Sequence, residues 1–480
     1  MPMLSASRSL FRSVALAALL LSGVVISATR GEDPSGSRHA AAARAVAAEA
    51  AREGRLVQRQ PAGAFGGDVY LVAWCDGSRQ ADRPAADIYC ARLDAATGKP
   101  LDPGGVPVCT APDLQEWPAV AFDGVNFLVV WQDFRSGKRN DIYAARVTPK
   151  GKVLDSDGLP VAAGAQNQGR PGVTFAGGRY LVVWMDARRY PVYGIFAARV
   201  TPAGKVLDPQ GLALDVEDEA KISELRPPKP QWMGDRDYWW QRLASRYLPA
   251  VASNGGEYLV VYSRDYPFAG GARPKPTALA VDPRQGKVIS GPIKLTGGAH
   301  DAVAACATPQ GWTVVLMDHA QGWGLAPRLA AVHLDRQLQT SNAFAKPFSK
   351  EPDLLPVEQL DETLMPENAT TLNPGKGAVA FWRPAAAYDG RHVVAATDFG
   401  WRDRRNANAI GYAIAVNRLA PDGMKFIQPS SIITASTDQP DQAVANPALV
   451  AGPPGETLLL YEHDEAIDRQ VIEGCILRRP

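Results

Sequence analysis

The chain has 480 residues, 46% of them hydrophobic and 21% charged, with 51 basic side chains against 50 acidic ones. That length exceeds what one compact core holds, so the chain is either several domains or one repetitive array. Balanced charge with dispersed basic residues gives no long-range field to attract nucleic acid or an anionic membrane, and both are excluded as partners.

The chain opens on MPMLSASRSLFRSVALAALLLSGVVISA, in which Arg8 and Arg12 precede an apolar stretch from Val14 to Ile26. This pattern reads as a secretory signal peptide over residues 1–28. The stretch is short for a membrane span, and no later segment approaches ~18 consecutive apolar residues. Removing it takes the net charge from +1 to about −1. A secreted or periplasmic protein without a membrane anchor is expected. Residues 29–53 are Ala-rich, either helical or disordered, and stand apart from the rest of the chain.

From residue 54 onward the sequence repeats itself, which is the strongest signal in it. One copy contains AVAFDG (119–124), FLVVWQD (127–133), a polar interval, DIYAARV (141–147), the turn TPKGK (148–152) and LPVAA (159–163). Each piece is a short apolar run bounded by Gly, Asp, Asn or Pro, as strands joined by tight turns are. The second piece marks the copies: VYLVAWCD ends at Asp76, FLVVWQD at Asp133, YLVVWMD at Asp186 and YLVVYSRD at Asp265. WTVVLMD then ends at Asp318, HVVAATD at Asp398 and TLLLYEHD at Asp464.

Seven copies at steps of roughly 50 to 80 residues fit four-stranded propeller blades carrying two insertions. Continuous runs such as YLVVW imply strands covered on both faces, which radial stacking achieves and a two-sheet sandwich does not. The expected fold is all-β, a seven-bladed β-propeller over 54–480. GRLVQ (54–58) would supply the missing fourth strand of blade 7 beside VIEGCILR and so close the ring.

The pattern VVWxDxRxxxxDIYxARVxPxGxVLD, quoted from blades 1 to 3, resembles a repeat of exported bacterial propeller proteins mostly without assigned activity. The resemblance implies a fold and no chemistry.

In such a sheet the seven aspartates would ring one rim, with Arg79, Arg135, Arg188, Arg264 and Arg402 beside several of them. Recurrence in every blade argues for a packing role, with Arg92, Arg146 or Arg199 of the third strand as expected ion-pair partners.

Function is expected where the repeat breaks, at insertions 215–247 and 347–383 on that same face. The first gathers Trp232, Arg236, Tyr238, Trp239, Trp240 and Arg242, aromatic planes beside charges that suit a sugar ring or a peptide. In the degraded blades Asp318, His319, Arg402, Asp403, His463 and Asp464 complete the candidate ligand-binding set.

No nucleophile or phosphate-loop motif is present, and no cofactor or metal is expected. Cys75, Cys90, Cys109, Cys306 and Cys475 lack metal-ligand spacing; one disulfide among the first three, or buried free thiols, are both open. The expected function is a monomeric, non-catalytic module binding a glycan or a protein. The alternative is a carbohydrate-active lyase or hydrolase using rim carboxylates and His.

Overall fold

The computed structural model describes residues 56–77, 85–164, 166–190, 192–218, 246–268, 271–295, 303–318, 328–340, 369–371, 384–403, 410–421, 426–434, 444–466 and 469–478. The proposed leader, the Ala-rich segment and most of both insertions lie outside them.

Among the described residues the protein is all-β, with no helix; none is therefore long and apolar enough to cross a membrane. Unit 1 contributes β1 (Leu56–Gly66), β2 (Val69–Asp76), β3 (Asp87–Asp94) and β4 (Val106–Cys109). Unit 2 contributes β5 (Gln115–Phe122), β6 (Phe127–Asp133), β7 (Asp141–Val147) and β8 (Leu159–Ala162). Unit 3 has β9 (Gln168–Ala176), β10 (Arg179–Asp186), β11 (Gly194–Val200) and β12 (Leu212–Asp215). Unit 4 has β13 (Arg246–Ser253), β14 (Tyr258–Phe268), β15 (Gly271–Val281) and β16 (Val288–Lys294). Unit 5 has β17 (Val303–Thr308), β18 (Gly311–Asp318) and β19 (Arg328–Leu334). In unit 6 come β20 (Ala369–Thr371), β21 (Ala385–Tyr388), β22 (Val393–Asp403), β23 (Ile410–Leu419) and β24 (Phe426–Thr434). Unit 7 ends the chain with β25 (Val444–Ala451), β26 (Glu456–Ala466) and β27 (Arg469–Arg478).

Units 2, 3 and 4 are four-stranded antiparallel sheets, unit 5 shows three strands, unit 6 five, and the strands of units 7 and 1 run on into one seven-stranded sheet. β20, from inside the second insertion, adds to the unit 6 sheet by pairing Ala369 to Thr371 with Asp403 to Trp401. The second strand of units 1 and 2 is buried along its whole length, as a run without alternation requires when both faces are covered.

Seven apolar clusters cover those faces, and each draws on two units. They join units 1 and 2, 2 and 3, 3 and 4, 4 and 5, 5 and 6, and 6 and 7. The seventh joins unit 7 to unit 1, through Leu458, Leu460 and Ile472 against Tyr70, Val72 and Trp74. Full burial of each such side chain contributes about 1.5 to 3 kcal/mol, so the sheets depend on their neighbours.

The expected partnership between the two chain ends takes a different form. Leu56 and Val57 pair with Arg469 and Gln470, but in parallel and over two residues only. Through this short contact β1 does lie next to β27, joining units 7 and 1 in one seven-stranded sheet, while its longer pairing is with β2 of its own unit; Leu114 bridges Ala86 in parallel in the same way at the crossover into unit 2.

The third-strand arginines staple unit to unit. Arg92, Arg146 and Arg199 each grip an aspartate of their own unit, Asp102, Asp155 and Asp208, through Nε and Nη2 at 2.7 to 2.9 Å. Each also reaches a turn carbonyl of the next unit, at Pro149, Pro202 and Arg284 respectively. This corrects the expectation that these arginines pair with the aspartates closing the second strands. Burial works to raise the carboxyls of Asp102, Asp155 and Asp208, but the bonds from arginine outweigh it and hold all three below the ordinary range. A depressed folded pKa stabilises above the unfolded value and is lost as pH falls. Arg146→Ala is expected to cost about 2 kcal/mol near neutral pH, read from urea unfolding, and progressively less as pH falls below the ordinary carboxylate range and Asp155 takes up its proton.

Candidate functional site

The motif Trp-x-Asp-x-Arg has a local explanation. Residues two apart on a strand share a face, so the fully buried indoles of Trp74, Trp131 and Trp184 lie beside Asp76, Asp133 and Asp186. Each indole N–H donates to that carboxylate, at 3.1, 2.7 and 2.9 Å. Arg135 then grips Asp133 through Nε and Nη2 at 2.8 and 2.6 Å, and lies 3.9 Å over the Tyr143 ring. Arg188 repeats this on Asp186 and Phe196. These carboxylates are buried and committed to packing.

Strand register also redraws the supposed ring. Asp76, Asp133 and Asp186 stand opposite Gln58, Gln115 and Gln168. The residues at that position in units 4 and 7 are Arg264, opposite Arg246, and His463, opposite Val444. Asp265 and Asp464 are one residue beyond, and Asp398 is one short of it in unit 6. In unit 4 the charges are inverted: Arg246 pairs with Asp215 and Glu217 at 3.1 Å each, Arg264 with Asp215 at 3.2 Å, and Tyr262 donates to Asp215 at 2.6 Å. This buried cluster closes the base of the first insertion.

A second recurrent feature sits on the inner edge of the same end. The first strands lie side by side, β1 against β5, β5 against β9, β9 against β13, and β25 against β1. Near its start each of five first strands loops two residues out of the ladder. The first looped residue has positive φ, at Gln60, Trp117, Arg170, Leu248 and Asn446 (52 to 58°), and the second is proline: QPAGAF, WPAVAF, RPGVTF, LPAVAS, NPALVA. Non-glycine residues at positive φ are uncommon, and bulges re-aim side chains. The backbone shape is constant while the side chain changes type from unit to unit, so the fold does not dictate which chemistry each carries.

The bulge frees a backbone N–H that must find an acceptor. Asn446 donates to Asp398 (3.1 Å), Gln60 to Glu462 (2.6 Å), Trp117 to the Gln60 side chain (2.6 Å) and Arg170 to the Gln132 side chain (3.2 Å). Gln132 in turn donates to Glu116 at 3.2 Å. An arc of half-buried polar and aromatic side chains therefore runs from unit 6 to unit 3. In it the Arg170 guanidinium lies 3.4 Å over the Trp117 ring.

Two carboxyls of the arc hold protons tightly. Burial raises Glu462, against hydrogen bonds from the Gln60 N–H and the Asn446 side chain and the charge of Arg59; the Asp464 charge adds to the rise. Burial likewise raises Asp464, beside Gln470 and Arg59. A carboxyl raised by burial has the chemistry of a general acid.

Of the candidate ligand-binding residues, Trp232, Arg236, Tyr238, Trp239, Trp240, Arg242 and His319 lie outside the described residues. For Asp318, Arg402 and Asp403 the backbone alone is described, opposite Arg328, Thr370 and Ala369. His463 is buried 3.2 Å from Glu473, which also accepts from Tyr461. Of the two whose side chains are described, His463 and Asp464, it is Asp464 that borders the arc, where its charge acts on Glu462.

All five cysteines are free and buried, which settles the disulfide alternative. Burial pushes Cys90, Cys306 and Cys475 up to about 12 and raises Cys75 and Cys109 as well. No thiol is expected to react with a thiol-selective disulfide reagent at pH 8 in the folded protein, and all five on denaturation. Among the described residues no group of three or more His, Cys, Asp or Glu could hold a metal ion.

No protein-family description and no curated protein matches this chain. Among solved structures it is similar to polysaccharide lyase Uly1, with a TM-score of 0.50 and 10% identity over 91% of this chain and 96% of that one. A protein of unknown function from Dyadobacter fermentans scores 0.45 at 14% identity, covering 90% and 97%. The GH93 alpha-L-arabinofuranosidase of Fusarium graminearum scores 0.41 at 10% identity, covering 90% and 95%. At these identities the likeness extends to the β-propeller-like all-β fold and no further.

Proposed function

We propose that the chain is a seven-bladed propeller that takes a polysaccharide at the axial end of its first strands and cleaves it, as a lyase or a hydrolase. The closed ring is supported by the seventh apolar cluster, which returns from unit 7 to unit 1. Of the two functional readings drawn from the sequence, this is the second, relocated from the rim aspartates to the arc. The observation that carries it is Glu462, a partly buried acid whose proton is retained to higher pH, two hydrogen bonds away from an aromatic surface at Trp117.

Either reaction breaks the bond between a sugar carbon and the bridging oxygen, and in either that oxygen must receive a proton. Glu462 donates it and becomes the carboxylate. Hydrolysis is completed by water, whose hydroxide goes to the carbon and whose proton restores Glu462; elimination is completed by loss of a carbon-bound proton to a base. A fold shared with a polysaccharide lyase supports the class of substrate. The buried aspartates of the Trp-x-Asp motif take no part.

Purified protein incubated with a panel of exported polysaccharides, followed by reducing-end release and by the ultraviolet absorbance of a new carbon–carbon double bond, tests this and separates the two reactions. Turnover of at least one polymer is expected. Saturable binding with no turnover of any bound polymer would return the protein to the non-catalytic reading.

A further inference from the structure

Two units satisfy the bulge that follows them in the same way. Glu462 of unit 7 accepts the Gln60 N–H, and Gln132 of unit 2 accepts the Arg170 N–H. Both acceptors stand at one register position, opposite the residue before their own unit's bulge, Ala445 and Glu116 respectively. In unit 1 that position is Cys75, opposite Arg59, and a buried thiol is a weak acceptor. The Trp117 N–H turns instead to the side chain of Gln60, at 2.6 Å.

That contact fixes which way the Gln60 amide faces. Only the oxygen of a carboxamide accepts a backbone N–H, so Oε1 is on Trp117 and Nε2 is turned away from it. The residue is also pinned through its main chain: its φ is 58°, Pro61 follows it, and its own N–H donates to Glu462 at 2.6 Å. Among the described residues neither hydrogen of Nε2 meets an acceptor, and the half-buried side chain does not seal that atom from solvent. Asn446, at the equivalent bulge of unit 7, turns its side chain to Glu462. The acid therefore lies beside two amides, one bound to it and one carrying a donor that the fold does not use. Since the amide is already held, little rotamer entropy is left to lose when that donor binds.

We propose that Gln60 orients the polysaccharide, its Nε2 donating a hydrogen bond to an oxygen of the sugar whose bridging oxygen meets Glu462. This rests on the reading of the axial end as a glycan site with Glu462 as its proton donor. One residue then holds the acid by its backbone and the sugar by its side chain, at a separation set by the bulge. Such fixed spacing is what lets an acid meet one oxygen among many similar ones.

The Glu462→Gln protein keeps an acceptor for the Gln60 N–H and lacks the proton donor, so it is the parent for the test. Cellohexaose, laminarihexaose and hexagalacturonate are titrated into it with its glutamines isotope-labelled for nuclear magnetic resonance. The Gln60 side-chain signals are those that vanish in Gln60→Glu. In the free protein these amide protons should exchange rapidly with water; with a probe bound they should shift and exchange at least about tenfold more slowly. Gln60→Glu keeps an oxygen for the Trp117 N–H and removes the donor. It should bind the same probe roughly tenfold more weakly at an unchanged urea midpoint. Gln60→Met removes both groups and should lose at least as much binding, and stability as well.

A bound probe that leaves the Gln60 amide signals unmoved overturns the proposal. So does Gln60→Glu binding at the parent's strength, which would reduce Gln60 to an acceptor for Trp117. In both cases a probe still binds, so the glycan site stands. A lowered urea midpoint in Gln60→Glu would trace its weaker binding to the bulge, and the amide signals alone would then decide. If none of the three probes binds, the glycan reading falls and the role of Gln60 with it.

Discussion

Asp133→Ala is expected to be the most destabilising single change at the strand-end network, at about 3 to 4 kcal/mol in urea unfolding. The Asp133 side chain is fully buried and accepts from the Trp131 indole, the Arg135 backbone and both guanidinium nitrogens facing it. Removing it orphans a buried indole N–H, at about 1 to 3 kcal/mol, and leaves Arg135 without its counter-charge. Arg135 keeps some contact with water, which discounts the electrostatic share. Asp133→Asn retains an acceptor for Trp131 and should cost about half as much. Near-ultraviolet circular dichroism should report the loss of a fixed Trp131 environment in the alanine variant. A change below about 0.5 kcal/mol for Asp133→Ala would mean that this carboxylate is retained for something other than packing.

Glu462→Gln should do the reverse, leaving the fold intact and removing activity. The amide keeps an acceptor for the Gln60 N–H and lacks a transferable proton. A loss of roughly 10² to 10⁴ in kcat is expected, with KM little changed. The pH dependence follows from the direction of the shift. Because Glu462 is raised in the folded state, the acid is competent at low pH and kcat/KM falls as pH rises through the folded value. The same shift makes Glu462 favour folding at low pH, a contribution lost as pH rises from the ordinary carboxylate range near ~4.3 through the folded value. Glu462→Gln removes that loss, so at pH 7 it should be as stable as wild type or more so. A variant that loses stability and activity together would reassign Glu462 to structure.

The architecture was legible because it is written redundantly. YLVVW without alternation, Trp-x-Asp at strand spacing and Gly-containing turns each specify a doubly covered antiparallel sheet, and they recur often enough to count units. What misled was the assumption that a shared aspartate means a shared register. YLVVYSRD is one residue longer than FLVVWQD and HVVAATD follows a different partner, so Asp265, Asp464 and Asp398 are offset from Asp133. A one-residue slip moves a side chain to the other face of a strand, which turns a ring of seven into a set of four in one register, Asp76, Asp133, Asp186 and Asp318, with local substitutes in the other units.

The arc was also present in the sequence, as an X-Pro pair opening QPAGAF, WPAVAF, RPGVTF, LPAVAS and NPALVA. It does not stand out there, because proline near a strand start is ordinary and the residue before it varies. Only the pairing register reveals that each pair is looped out, and only three-dimensional placement joins Glu462 of the last unit to Gln60 of the first, which are 402 positions apart. Insertion aromatics such as Trp239 and Trp240 are conspicuous by composition, whereas single residues at a repeated bulge are conspicuous only by position.

The most direct test is a crystal structure of the Glu462→Gln variant soaked with an oligosaccharide of whichever polymer the wild type cleaves. The sugar should lie across the ends of β1, β5 and β9, with its ring near Trp117 and a bridging oxygen within reach of residue 462. Density confined to the 215–247 segment, or to the outer turns beside Asp133 and Asp186, would contradict the axial site.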